Sequence, residues 1–209
     1  GTIQRLTKPE TPEDQAKWEV PALHWADISK DDYGVSLLNN CKYGYDCEPN
    51  QIRLTLLRSA SWPDPQADIG INEFTYALYP HSGNWRSANT VRRGYELNLP
   101  LQVRVIETVS TNTTLKPITQ FIDLQAENLI IMAFKQSEYN PQQWILRCYE
   151  CHGEPAHLEL NSDLDLEITQ AVDLLERPLE ATEQLLNHQS AIITPNKIVS
   201  FTGVIVDNG

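Results

Sequence analysis

Eight short segments rich in β-branched and aromatic residues recur along this chain, and no helical period of comparable strength lies between them. They are 34–40 (GVSLLNN), 51–59 (QIRLTLLRS), 72–80 (NEFTYALYP), 101–109 (LQVRVIETV), 128–136 (NLIIMAFKQ), 143–150 (QWILRCYE), 156–161 (AHLELN) and 197–206 (KIVSFTGVIV). Most alternate, and Gly, Pro, Asn and Asp punctuate them. A sheet with one apolar face must bury it against a second layer, so the pattern predicts an all-β chain built from β-sandwiches. Helix is expected only at Thr11-Pro12-Glu13-Asp14, which caps a single turn, and within 85–97 (WRSANTVRRGYEL), despite Gly94. The polar, proline-ended stretch 111–117 (TNTTLKP) has no period and reads as a linker between two β units, 1–110 and 118–209.

The formal charge of −12 and an isoelectric point near 4.8 argue against a phosphate-binding surface, so no nucleic-acid partner is expected. No apolar run approaches the roughly 20 residues that span a bilayer, and no charged start with an apolar stretch marks a signal peptide. A soluble chain with no membrane partner is therefore expected. The chain starts on Gly1 and its only methionine is Met132, which reads as a piece cut from a longer polypeptide.

Cys41, Cys47, Cys148 and Cys151 allow disulfide pairing or a four-thiolate metal site, and the C-x-x-C of RCYECHG invites the second. Residues three apart on a strand point to opposite faces, which weighs against it, and reduced thiols are the expectation. The histidines His24, His81, His152, His157 and His188 are scattered, and no His-x-Asp pair suggests a zinc site. The Asn112-Thr113-Thr114 sequon adds little, since such triplets arise by chance.

Residues 67–85 (ADIGINEFTYALYPHSGNW) concentrate what a sugar-binding surface needs, because sugars offer hydroxyls to polar groups and C–H faces to rings. Alternation puts Phe74, Tyr76 and Leu78 on one face, opposite Thr75, Ala77 and Tyr79, and the larger set is expected to join the core. Tyr79, His81 and Trp85 lie toward the strand end and are candidates for carbohydrate contact. In 63–72 (PDPQADIGIN), Asp64 and Asp68 either wall a sugar pocket or cap backbone N–H groups in a turn stiffened by Pro63 and Pro65, with Gly70 in the same connection. Lys42, Tyr43 and Gly44 read as a turn, with Gly44 supplying a backbone shape that other residues resist.

The runs WADISKDDYGVSLLNNCKYGYDC, IRLTLLRSASWPDPQADIGINEFTYALYPHSGNW and ELNLPL resemble the C-terminal β region of glycoside hydrolase family 38 α-mannosidases, the cytosolic and vacuolar type above all. The likeness continues through ENLIIMAFKQSEYNPQQWILRCYECHGEPAHLEL and KIVSF. Its most specific blocks are Lys42-Tyr43-Gly44 and Phe74-Thr75-Tyr76-Ala77-Leu78. Asn40 stands where the family often has Asp and Asn72 where it often has His, so any charged role at those positions is given up here.

The resemblance implies the last part of a galactose-mutarotase-like supersandwich, followed by a smaller terminal β-sandwich. It also implies that a zinc ion, an aspartate nucleophile and a carboxyl acid/base sit in an N-terminal barrel that this chain lacks, with no cofactor here. A retaining glycosidase needs two carboxyl groups about 5 Å apart, and the local cluster Asp64, Asp68 and Glu73 has no spacing that fixes such a distance. The implied role is non-catalytic: packing on the catalytic barrel and the remaining β domain of a cytoplasmic or vacuolar enzyme, and walling its mannoside pocket. Excision would expose an apolar face through which the chain can dimerise. The alternatives are an autonomous carbohydrate-binding module and an unrelated β-sandwich that binds protein.

Overall fold

The computed structural model describes residues 1–17, 19–105, 119–180, 186–187 (backbone only) and 189–206. The chain divides into two compact units, Gln4–Arg104 and Val105–Gly209, the latter joined by Gly1–Ile3. The linker expected at 111–117 lies outside the described residues. Among the described residues no helix is long and apolar enough to cross a membrane.

The first unit opens on a single-turn helix, α1 (Pro12–Ala16). Thr11 accepts from the Asp14 N–H and the Asp14 carboxylate accepts from the Thr11 N–H, a reciprocal cap written into Thr-Pro-Glu-Asp. Six strands follow: β1 (Val20–Pro21), β2 (Trp25–Ser29), β3 (Tyr33–Asn39), β4 (Gly44–Glu48), β5 (Gln51–Leu54) and β6 (Tyr76–Ser82). They make two antiparallel three-stranded sheets, ordered β1-β4-β5 and β2-β3-β6. Tyr45 of β4 is fully buried, and its hydroxyl donates to the Leu37 carbonyl and accepts from Asn39, which ties β4 to β3. Helix α2 (Thr90–Asn98) lies on the β2-β3-β6 sheet, burying Thr90, Val91 and Gly94. A Cβ on Gly94 would stand 3.2 Å from both His24 and Trp25, so any larger residue there would have to push helix and sheet apart by a few tenths of an ångström.

The second unit is a β-sandwich. One sheet is ordered β10 (Leu166–Val172), β13 (Ile198–Ile205), β8 (Trp144–Glu150), β7 (Leu129–Gln136). The other is ordered β11 (Leu186–Asn187), β12 (Ser190–Ile193), β9 (Ala156–Glu159). Leu146, Cys148, Ile168, Ala171, Val199 and Phe201 from the first sheet meet Ala156, Leu158, Ala191 and Ile193 from the second in one core.

Several expectations need correction. The segment 72–80 becomes strand only from Tyr76, 51–59 ends at Leu54, and 101–105 forms no strand, the rest of 101–109 lying outside the described residues. The helix expected over 85–97 begins at Thr90, because Asn84 accepts from the Arg86 and Ser87 N–H groups and holds 84–89 in turns. Phe74, Tyr76 and Leu78 do not join the core: Tyr76 and Leu78 are 53% and 67% exposed. The inward face of β6 carries Ala77, Tyr79 and His81 instead, because the groups packed beneath α2 are polar. Gly44 is not among the positive-φ glycines, so no special backbone shape is needed there; a Cβ would clash only with the Glu19 carboxylate, the end of a long side chain.

Candidate functional site

The residues picked out in the sequence fall into two groups that the fold keeps apart within the first unit. The first gathers under α2. Pairing of β2 with β3 and of β3 with β6 sets Asp27, Ser36 and Tyr79 in one row across the sheet, with His81 two residues further along β6. His81 is buried, and its Nε2 lies 2.8 Å from Asp27 Oδ2. Ser36, also buried, donates to the same oxygen at 2.7 Å and lies 2.9 Å from the Thr90 hydroxyl and 3.3 Å from His81 Nε2. A carboxylate only accepts, so Nε2 is the donor in this contact. Gly34 makes room for this ring, since a Cβ there would strike His81.

Asp, His and Ser together invite comparison with a hydrolytic triad, but the geometry differs. In a triad the carboxylate takes one imidazole nitrogen and the hydroxyl faces the other. Here both Ser36 and His81 Nε2 converge on one oxygen of Asp27, and His81 Nδ1 has no hydrogen-bond partner. Ser36 has no exposed surface through which a substrate could be attacked. The cluster is a buried polar knot that fixes β2, β3, β6 and the start of α2 to one another.

The two aromatic candidates belong to the same neighbourhood. The Tyr79 hydroxyl donates to the Ala88 carbonyl at 3.0 Å and its ring lies 5.5 Å from that of His81. Trp85 packs on Trp25 with ring centroids 5.2 Å apart, and the Arg86 guanidinium covers it at 4.4 Å.

The second group is the 61–72 loop. Asp64 accepts from the Gln66 N–H at 2.9 Å, and Asp68 accepts from the Ser59 N–H at 2.5 Å. Asn72 donates to the carbonyls of Asp68 and Gly70, and Gly70 takes a φ of +134° that disfavours any side chain. These bonds knit the loop into a defined shape while Trp62, Ile69 and Ile71 point outward, at least three-quarters exposed. At its base, Asn40 accepts from the Thr75 N–H, Lys42 lies 5.2 Å above the Phe74 ring, and Phe74 stacks on Tyr76 at 6.5 Å. The Lys42 N–H donates to Asn39, and the Tyr43 carbonyl accepts from Ala22.

None of the four cysteines is in a disulfide, and among the described residues no group of three or more His, Cys, Asp and Glu side chains is placed to hold a metal ion. Burial pushes the Cys148 thiol up to about 12, so it is no nucleophile at neutral pH. Asp27, Ser36 and Thr90 escaped the sequence reading. The available signal was a serine inside the apolar run GVSLL, which a buried strand tolerates only if the hydroxyl is hydrogen-bonded.

Two family models match the chain: the glycosyl hydrolases family 38 C-terminal domain over residues 1–66 and the glycosyl hydrolases family 38 C-terminal beta sandwich domain over residues 128–201, together more than half of its length. Human alpha-mannosidase 2C1 is 35% identical over 98% of the chain, and Saccharomyces cerevisiae alpha-mannosidase is 35% identical over 90% of it. The chain spans about a fifth of the length of each, 20% and 18%. The crystal structure of an alpha-mannosidase from Enterococcus faecalis superposes with a TM-score of 0.72 at 17% identity, over 96% of this chain and 23% of that one, a likeness of fold.

Proposed function

We propose, since this chain belongs to glycosyl hydrolase family 38 as part of its C-terminal β region, that it is the non-catalytic β portion of a retaining α-mannosidase. In this reading a zinc-bearing barrel elsewhere in a cytoplasmic or vacuolar enzyme cleaves terminal α-mannosides, and this chain packs on that barrel and on the remaining β domain. Support comes from relatives that bear the name α-mannosidase and are about five times as long as the match. The chain's own carboxylates fit the same reading, because Asp64 and Asp68 each hold a loop N–H group, as turn-capping aspartates do.

The observation that carries the finer proposal is the 61–72 loop, braced by Asp64, Asp68 and Asn72 while Trp62, Ile69 and Ile71 stand in solvent. Apolar side chains on a rigid projection suit a surface that presses against another body, here the barrel beside the mannoside pocket. Loss of one charge-assisted hydrogen bond costs about 1.5–3 kcal/mol. In the complete enzyme the second oxygen of each carboxylate faces the barrel or a mannoside hydroxyl in this reading, so Asp68→Asn or Asp64→Asn is expected to lower kcat/KM about ten- to hundredfold, by more than its loss of thermal stability accounts for. If both variants keep full activity, or activity falls only in step with stability, the loop is a structural turn.

A further inference from the structure

The second unit holds a cavity that none of the foregoing uses. Its floor is the outer face of the β10-β13-β8-β7 sheet. Gln170 pairs with Thr202, Thr202 with Ile145 and Ile145 with Lys135, so these four share the face opposite the core residues Ala171, Phe201 and Leu146. Residues 173–178 fold back over this face. The Arg147 guanidinium donates to the Leu174 carbonyl at 2.9 Å. The Glu176 carboxylate, 9% exposed and at a φ of +65°, takes Lys135 at 2.7 Å, the Glu138 N–H at 2.9 Å and the Ser137 hydroxyl at 3.2 Å. Burial opposes charge on Glu176, but these donors outweigh it and hold the carboxyl below its ordinary value.

Between this strap and the sheet lies a cavity of about 400 Å³, within the size range of small-molecule sites. Gln143, Gln170, Arg177 and Tyr139 line it, and among the described residues the two amides, the guanidinium and the phenol hydroxyl have no hydrogen-bond partner within the protein. The half-buried amides Gln143 and Gln170 are the telling members, because both reach the cavity with their hydrogen-bonding groups uncommitted to the protein. Each amide both donates and accepts, which matches vicinal hydroxyls, whereas a purely anionic ligand would leave the amide oxygens facing negative charge. Glu176 is already paired with Lys135, which leaves Arg177 as the one cation among the described residues of the lining, and sulfate therefore serves as the anionic control in the test. Val172 and Pro178 supply the apolar surface on which the C–H face of a sugar ring rests, with the Tyr139 ring at the mouth.

We infer that this cavity is a binding subsite for a neutral hexopyranose unit, held by Gln143, Gln170 and Arg177. The inference does not depend on the 61–72 loop or on the catalytic role of any longer enzyme.

The test titrates the 209-residue chain with the methyl glycosides of mannose, glucose and galactose, and with sulfate as an anionic control, by calorimetry and ligand-observed NMR. At least one glycoside is expected to saturate with a millimolar Kd. Gln170→Ala and Arg177→Ala are each expected to weaken it about three- to tenfold with unchanged thermal melting, because neither side chain bonds to the protein. No saturation by any glycoside at tens of millimolar, equal binding by parent and both variants, or saturation by sulfate alone would each overturn the assignment.

Discussion

Glu150→Ala is expected to destabilise the second unit by about 3–5 kcal/mol, enough to lower its melting temperature by well over about 10 °C. The carboxylate is fully buried and gathers three strayed segments: it accepts from the His152 and Gly153 N–H groups at 2.7 and 2.9 Å, from Asn196 N–H at 2.8 Å and from the Asn128 amide at 3.0 Å. Alanine strips one shared acceptor from all of these donors at once, the buried His152 N–H among them. The pH dependence follows from the same contacts. Burial alone would raise the Glu150 carboxyl, but the Asn196, His152, Gly153 and Glu154 N–H groups outweigh it and hold the value below that of a free glutamate. A depressed folded-state value contributes stability that is present above the unfolded value near 4.3 and lost as pH falls through the folded one. Glu150→Gln is expected to flatten this acid dependence, as read by melting curves between neutral and acid pH; an unchanged slope would show that other carboxylates set it.

The second large effect belongs to the first unit. Asp27→Ala removes the common acceptor of His81 Nε2 and the Ser36 hydroxyl, whose distances to Oδ2 are 2.8 and 2.7 Å, beneath a helix that keeps water out. Leaving these buried donors unsatisfied is expected to cost about 2–4 kcal/mol. Ser36→Ala, which leaves the Asp27–His81 bond in place, is expected to cost only about 1 kcal/mol. Urea unfolding followed by tryptophan fluorescence reads the change, since Trp25 and Trp85 stack within the same unit. Equal losses for the two variants would mean that the knot is held by packing rather than by the carboxylate.

The strands that read most plainly from sequence are those with a core of close neighbours. The segments at 128–136, 143–150 and 197–206 fell within a residue or two of β7, β8 and β13, because their apolar residues are continuous or alternate without interruption. Strands β4 and β10 were missed, since Gly-Tyr-Asp-Cys-Glu and Leu-Glu-Ile-Thr-Gln carry polar residues on a face that is solvated or covered by loops. The error on β6 has a different origin. Side-chain size assigned Phe74, Tyr76 and Leu78 to the core, but the facing surface under α2 is set by Asp27 and Ser36, which lie 54 and 45 residues from His81. Such partners are fixed by strand register, which no local window reveals. The cavity in the second unit was illegible for the same reason: Gln170 and Thr202 look like an ordinary solvent face until the 173–178 strap closes over them.

The proposed function assigns a division of labour in which this region supports a catalytic barrel and performs no chemistry of its own. The most direct test is hydrolysis of an aryl α-mannoside by the 209-residue chain alone, with zinc or cobalt added. The account predicts no turnover above the rate in buffer, whereas turnover that co-purifies with the chain after removal of host glycosidases would contradict it.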